Sequence, residues 1–178
     1  MKAVLMSIHP KWCELIALGK KTVEVRKTKP KIKTSFKVYI YCTKDRHGWF
    51  DFLHKQRRDG KIIGEFVCDK ILFANGTNFV VKEDAEITLQ GTCLTEDDIY
   101  KYLGIESGMS RYDKKTEFYR WHISDIVIYD KPRCIDDFRK AKECHRGKIR
   151  ENCIGCWDCE ITRPPQSWCY VEEMGAEQ

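Results

Sequence analysis

The segment GKKTVEVR, residues 19–26, decides how the first part of this chain folds. It follows SIHPKW, residues 7–12, where Pro10 is placed to begin a helix, because proline lacks the N–H that would have no partner in a first helical turn. Gly19 is placed to end that helix in the left-handed conformation. Residues 22–27 then alternate between valine and polar side chains, as a strand does. The sequence therefore predicts a short helix, a glycine turn and a strand.

Three charged side chains of this segment are predicted to lie close together. Glu24 and Arg26 are two residues apart on a strand and share a face, and Lys21 lies at the turn beside them. Arg26 can hold a phosphate or a base edge with its planar guanidinium, and Lys21 can hold a phosphate or act as a base. Glu24 can orient Lys21, accept a base amine or move a proton. The alternatives are a binding site, an active site with Lys21 and Glu24 as catalytic residues, and an internal ion pair between Glu24 and Arg26.

The basic charge of the chain is concentrated in its first part. The formal net charge is +5, but residues 1–70 hold 17 Lys and Arg against 7 Asp and Glu, and residues 71–178 hold 15 against 20. Such a field attracts polyanions, of which nucleic acid is the commonest in a cell, although a solvated lysine-rich surface has the same composition. No apolar run approaches the roughly 18 residues of a membrane span, and no signal-peptide core is present. We therefore expect a cytoplasmic protein that does not enter the membrane and whose partner is RNA or a nucleotide; its oligomeric state is left open.

Aromatic side chains are interleaved with the basic ones, as in proteins that stack single-stranded bases on rings beside cations. Trp49 follows Gly48 in a polar stretch and is the best candidate for an exposed stacking platform. For Trp12 and for one of Tyr39 or Tyr41, a core position is the preferred interpretation. The predicted ligand contacts outside the three charged residues are Lys11, Lys20, Tyr41 and Trp49.

Gly19, Lys21, Glu24 and Arg26 match, position for position, a G-x-K-x-x-E-x-R signature, and in this the chain resembles the ASCH family of the PUA-like superfamily, in a bacterial or phage type with a Cys-rich C-terminal extension. The resemblance covers about residues 3–130. It implies an α+β fold with a PUA-like small β-barrel, flanking helices and the motif lining an RNA-binding cleft. Some relatives hydrolyse acetylated cytidine with a threonine nucleophile at the position of Glu24, and one branch is linked to RNA cleavage.

The remaining elements follow from hydrophobic alternation and capping signals. We expect residues 1–130 to form the barrel domain and residues 131–178 to form a Cys-rich lobe packed on it. Thr95 is predicted to cap a helix that ends at Leu103, and Gly64 to mark a bulge. The predicted strands are Ala3–Met6, Thr22–Lys27, Phe36–Cys42, Lys61–Phe73 as one long strand, Ala85–Leu89, Phe118–Tyr129 as one strand or a tight pair, and Gln166–Glu172.

The cysteines near the end of the chain have the spacing of a metal site. Cys153, Cys156 and Cys159 form a C-x2-C-x2-C run, in which a two-residue gap lets two thiolates bind one ion from a tight turn. Structural zinc is the first choice, and an iron–sulfur cluster is the alternative, since the same run opens a ferredoxin motif. The third interpretation is that these cysteines are reduced thiols that bind no metal. Cys144 is the predicted fourth ligand, with Cys134, His145 and Cys169 as substitutes.

Three functions remain in view. The first is an RNA- or modified-nucleotide-binding module that uses the basic cleft around residues 19–26. The second is an enzyme that acts on RNA or a modified nucleoside, as an amidohydrolase or ribonuclease. The third is a protein-interaction adaptor whose cysteine-rich part forms a docking surface, and which would show no salt-dependent affinity for nucleic acid.

Overall fold

A computed structural model describes residues 1–44, 50–51, 56–74, 87–104, 117–141 and 159–174 of the protein. Its fold is a mixed α+β arrangement in which strands predominate. Residues 87–89 are also helical. The elements, in chain order, are β1 (Lys2–Ile8), α1 (Pro10–Ala17), β2 (Val23–Arg26), β3 (Phe36–Cys42), β4 (Phe50–Asp51), β5 (Gln56–Arg57), β6 (Lys61–Cys68), β7 (Ile71–Ala74), α2 (Glu96–Leu103), β8 (Phe118–His122), β9 (Ser124–Arg133), a 3-10 helix (Ile135–Asp137) and β10 (Trp168–Glu172).

Most of the described strands belong to two sheets, and β4 and β5 form a separate two-stranded pair. The larger has the order β10-β1-β3-β6-β9, and the smaller has the order β2-β8-β7. Within the larger sheet β1 and β3 are parallel, with Leu5 opposite Tyr39, and every other neighbouring pair is antiparallel. The parallel pair arises because α1 and β2 form the crossover between β1 and β3. This crossover is the segment that carries the charged motif.

The larger sheet is covered on both faces, so alternate residues of its central strands enter different cores. Val38 and Ile40 of β3 belong to a first cluster, shared with α1 and Trp121 of β8, whereas Tyr39 and Tyr41 belong to a second cluster. Both faces of the sheet are buried, which explains why β1 and β3 are almost continuously apolar. A third cluster lies beneath α2 and consists of Val25, Ala74, Ile99 and Phe118.

The helix–turn–strand prediction at the start of the chain is confirmed. Pro10 occupies the first turn of α1, and Gly19 has a φ of 69°, in the left-handed region. All four residues of β2 are buried, including Glu24 and Arg26 on the face predicted to be polar. The prediction for β3 agrees at both ends, since the strand runs from Phe36 to Cys42.

The prediction of one strand over Lys61–Phe73 is wrong, because β6 ends at Cys68 and β7 begins at Ile71 in the other sheet. The partner segment divides in the same way: β8 and β9 are separated only by Ile123, and they pair with β7 and β6 respectively. The four strands therefore form one antiparallel ribbon that passes from one sheet to the other at a corner. The bulge predicted at Gly64 is confirmed, since the β6–β9 register shifts beside it.

The predicted strand over Ala85–Leu89 is contradicted where it is described, because residues 87–89 are helical. Leu89 packs against the third cluster, and its carbonyl accepts hydrogen bonds from the backbone N–H and the hydroxyl of Thr92. These local bonds close a tight turn, which competes with strand pairing. The predicted cap of α2 is confirmed, with Thr95 and Asp98 forming a reciprocal capping box.

The predicted division at residue 130 falls inside β9, which continues to Arg133. Further along the chain, β10 pairs with β1 in the larger sheet, and Phe138, Ile161 and Val171 belong to the second cluster. The described part of residues 131–178 is thus built into the main fold. The described strands make three sheets, none of which closes into a barrel, so the closed barrel stays a prediction. Most of the cysteine-rich segment, residues 142–158, lies outside the described residues, and a separate lobe stays a prediction as well.

None of the helices among the described residues is long and apolar enough to cross a membrane.

Gly64→Ala is expected to destabilise the protein by about 3 kcal/mol, the upper end of the usual cost of overpacking. A Cβ atom at residue 64 would lie 2.2 Å from the backbone oxygen of Val127, so the two strands would have to separate. Gly104→Ala is the control: it meets no atom within 4 Å but has a φ of +78°, and it should cost only about 1 kcal/mol of backbone strain. Urea unfolding of both variants measures the difference, and equal losses would contradict the steric explanation.

Thr95→Ala is expected to cost about 1 kcal/mol, because it removes a side-chain cap of α2. Hydrogen bonds from Thr95 lower the pKa of Asp98, so the ionised carboxylate stabilises the folded state above the ordinary Asp pKa of about 3.9. This contribution is lost as the pH falls through the lowered folded-state pKa, and the difference between wild type and variant should shrink there. Asp97→Asn is the control, since it changes a charge in the same turn outside the box. A pH-independent difference in urea unfolding would contradict the assignment.

Candidate functional site

The turn after α1 directs Lys21 into the protein. The backbone N–H groups of Lys20 and Lys21 both donate to the carbonyl oxygen of Leu15, which closes the helix end around Gly19. The Lys21 residue is only 2% exposed, and its Nζ donates to the carbonyl oxygen of Thr92 at 2.6 Å. The buried ammonium is therefore held between the start of β2 and the turn that precedes α2.

Glu24 is shared between two cations. Its Oε2 lies 3.4 Å from Nζ of Lys21, and its Oε1 lies 3.1 Å from Nη2 of Arg26. Glu24 and Arg26 are 7% and 8% exposed, so all three charges are largely removed from water. Two cations and one carboxylate leave this cluster with a formal excess of one positive charge.

Arg26 is fixed by the backbone of β1. Its Nη2 donates to the carbonyl oxygen of Ser7 at 2.6 Å, and its Nη1 lies 3.5 Å from Oγ of Ser167. Among the described residues, Nε of Arg26 and Oε2 of Glu24 are buried without a hydrogen-bond partner. Oε2 of Glu24 still faces the ammonium of Lys21 at 3.4 Å, whereas Nε of Arg26 is a buried donor with no described acceptor.

A cleft of about 260 Å³ opens onto this cluster. One wall comes from α1 through Trp12, whose ring centroid lies 4.5 Å from Nζ of Lys11 and 5.2 Å from Nζ of Lys21. Asp98 and Tyr102 of α2 line another part of the cleft. Burial raises the pKa of Tyr102, so its phenol stays neutral and able to donate a hydrogen bond. The cleft thus combines aromatic walls with a charged floor.

The structure brings together some of the sequence-predicted contacts and separates others. Lys11 lies over Trp12 at the wall, whereas Lys20 is exposed at the turn outside the residues that line the cleft. Tyr41 is 4% exposed in the second cluster, on the face of the larger sheet that points away from the motif. Its predicted ligand contact is therefore corrected to a core position, since β3 alternates between two buried faces. Trp49 lies outside the described residues.

Sequence reasoning missed the contribution of α2 and undervalued Trp12. Asp98 and Tyr102 reach the cleft only because α2 packs over the third cluster, more than seventy positions from the motif. No local signal connects the two segments. Trp12 fits the first cluster as predicted, but it is only partly buried and also faces the cleft. The basic residue Lys11 beside it was the one sequence signal that Trp12 could lie near a ligand site.

The predicted zinc site falls largely outside the described residues, which include Cys159 but neither Cys144, Cys153 nor Cys156. Within the described ranges no three potential ligands form a metal-binding group. Zinc, and an iron–sulfur cluster as its alternative, both stay predictions.

Cys13 is not suited to nucleophilic attack. Burial raises the pKa of its thiol well above the ordinary value, which disfavours the reactive thiolate. The Cys13 Sγ instead contacts the carbonyl oxygen of Ile8. It acts as a small core residue of the first cluster.

Glu24→Gln is expected to destabilise the protein by about 3 kcal/mol, because it leaves two buried cations without a counter-charge. The double variant Lys21→Met/Glu24→Gln should recover part of that loss. Glu65→Gln is the control, since Glu65 pairs with Lys37 at 2.8 Å in a partly exposed position, where an ion pair is worth about 1 kcal/mol or less. Urea unfolding compares the variants, and equal losses for Glu24→Gln and Glu65→Gln would contradict a special role of the buried cluster.

Comparisons with known proteins agree with this architecture. The model of the ASCH domain matches residues 6–130. The crystal structure of ASCH from Zymomonas mobilis is similar with a TM-score of 0.56 and 19% identity, covering 96% of this chain and 88% of that chain. A serine-to-alanine mutant of ZmASCH from the same organism gives a TM-score of 0.58 and 17% identity, covering 96% and 89%. Among curated proteins no sequence matches significantly.

At these identities the structural likeness concerns the fold alone. The match to the domain model is a separate observation, and it spans well over half of the chain. This protein therefore belongs to the ASCH domain family, within the PUA-like superfamily.

Proposed function

We propose that this protein binds RNA and holds one nucleotide of the strand in the cleft above Lys21, Glu24 and Arg26. The observation that carries the proposal is the buried, net positive cluster at the floor of an open cleft. Burying three charges is costly, and the attraction within the cluster offsets that cost only in part. An anionic ligand would offset part of that cost by balancing the excess positive charge of the cluster.

The residues that line the cleft define how a nucleotide would be recognised. The carboxylate of Glu24 can accept a hydrogen bond from an exocyclic amine of a base. Lys21 has three N–H donors, of which one is directed to Thr92, and a ligand oxygen can receive another. The rings of Trp12 and Tyr102 offer apolar faces at the sides of the cleft. Stacking on such a ring contributes about 1–3 kcal/mol for each base.

The surface beside β2 favours a polymer over a free nucleotide. Lys27, Lys29, Lys31 and Lys33 are exposed in the loop that follows β2. Nζ of Lys27 lies 5.0 Å from the ring centroid of Tyr102, which places this loop next to the cleft. Exposed lysines contact backbone phosphates without reading the base, and they make affinity depend on salt. We therefore expect the strand to continue from the cleft along this loop.

An enzyme acting on RNA or a modified nucleoside, as an amidohydrolase or ribonuclease, is the second candidate. The observation in its favour is the 3.4 Å contact between Lys21 and Glu24, since a carboxylate and an ammonium side by side can move protons. Glu24 stands where the resemblance places a nucleophilic threonine in the hydrolase branch, so the attacking group here would be water. Turnover of acetylated cytidine or of RNA by the wild type, abolished in Lys21→Met, would favour this candidate.

Trp12→Leu is expected to weaken binding of a labelled, mixed-sequence single-stranded RNA about tenfold, because it removes a stacking face at the cleft. Trp168→Leu is the matched control: Trp168 is another partly buried tryptophan of the first cluster, but it packs on Trp121 and does not line the cleft. Fluorescence anisotropy at two salt concentrations gives the affinities, and thermal melting shows that both variants are folded. Equal effects of the two substitutions would contradict the cleft as the binding site, and a wild type that binds no RNA even at low salt would exclude RNA binding.

A further inference from the structure

A second cavity lies at the corner where the β6–β9 ribbon passes between the two sheets. It has a volume of about 280 Å³, and Lys21, Glu24 and Arg26 are not among the residues that line it. No part of the proposed function uses it. Its lining includes Thr22, Lys70, Gln90, Gly91, Arg120 and His122.

Strand pairing places basic side chains at this corner. Arg120 and His122 are two residues apart on β8 and share a face, opposite Leu72 of β7 and Val23 of β2 respectively. The backbone N–H of His122 donates to the carbonyl oxygen of Lys70 at 2.9 Å, which brings the turn between β6 and β7 against β8. Lys70 and Arg120 are thus held at the wall of one cavity, although they are fifty positions apart in the chain.

In the described part of the chain, the positive charge of the Arg120 guanidinium is not balanced by a carboxylate. Its Nη2 donates only to a neutral acceptor, the carbonyl oxygen of Gln90 at 3.3 Å, and its Nε is buried without a partner. Burial lowers the pKa of Arg120, which reflects a cation partly removed from water. The carboxylate at the corner, Asp69, is bound to Nδ1 of His122 at 2.7 Å. A guanidinium in this situation is stabilised by an anion with paired oxygens, and phosphate fits that geometry.

We propose that Arg120 and Lys70 form a phosphate-binding site, with His122 in its wall, that takes a backbone phosphate of the RNA strand held in the cleft. The proposal rests on the proposed function. Lys21 reaches the floor of the cleft, and the next residue, Thr22, lines the second cavity. Because the Cα atoms of adjacent residues are about 3.8 Å apart, the two cavities approach each other across the start of β2. An RNA strand that crosses the start of β2 would contact both cavities.

Inorganic phosphate is the probe for the site itself, since this measurement needs no RNA. We expect saturable shifts of the His122 ring resonances in 1H–15N NMR spectra of the wild-type protein as phosphate is added. Lys70→Gln and Arg120→Gln should reduce these shifts; Lys70 is exposed, so its substitution is compatible with folding, and glutamine at 120 retains a donor for Gln90. Lys131→Gln is the control, because it removes an exposed lysine of β9. Shifts that are absent in the wild type, or equal in all three variants, would overturn the site.

Salt dependence of RNA binding is the test for the strand path. Each lost phosphate contact should lower the slope of log affinity against log salt by about 0.7 for a single strand. We expect this loss for Lys70→Gln and Arg120→Gln, whereas Lys131→Gln and the cleft variant Trp12→Leu should keep the wild-type slope. The NMR shifts of His122 could depend on phosphate while Lys70→Gln and Arg120→Gln keep the wild-type salt slope of RNA binding. That result would mean a site for small phosphorylated molecules and would overturn the RNA path. A wild type that binds no RNA would overturn both the proposed function and the path, and the phosphate titration would still decide the site.

Discussion

The carboxylate of Glu24 holds two buried cations, and the elements around it are arranged so that both cations can be satisfied. Lys21 can be buried only because the turn before α2 supplies a carbonyl oxygen, and Arg26 only because β1 supplies another. One carboxylate therefore ties together α1, β1, β2 and the approach to α2. Replacing such a cluster by apolar side chains often costs little, so stability alone does not account for the cluster.

The bent ribbon of β6–β9 is the second organising feature. By changing sheets at the corner near Asp69 and Ile123, it adds two strands to β2 and thereby builds the smaller sheet. Within the smaller sheet, β2 contributes residues both to the cleft and to the cavity of Lys70 and Arg120. Gly64 permits the approach of β9, since any side chain there would meet the backbone of Val127.

In the proposed function, the cleft and the corner cavity bind one flexible polyanion. The aromatic walls and the charged floor would select a base, and the exposed lysines and the partly buried guanidinium of Arg120 would hold phosphates. The thiol of Cys13 stays protonated and structural, so the chemistry available near the cleft is that of Lys21 and Glu24. Binding and hydrolysis would draw on the same groups, and turnover separates the two.

The sequence by itself determined the local elements and the charged motif. Proline at the start of α1, the left-handed Gly19, the alternation of β2, the apolar run of β3 and the Thr95 cap act over a few residues, so the local sequence reveals them. The tertiary structure decided the rest. The sheet change after Cys68, the burial of Tyr41 and the contribution of Tyr102 all depend on contacts between distant segments. Such contacts arise from packing two faces of a sheet at once, and no periodicity along the chain records which face a distant segment will cover.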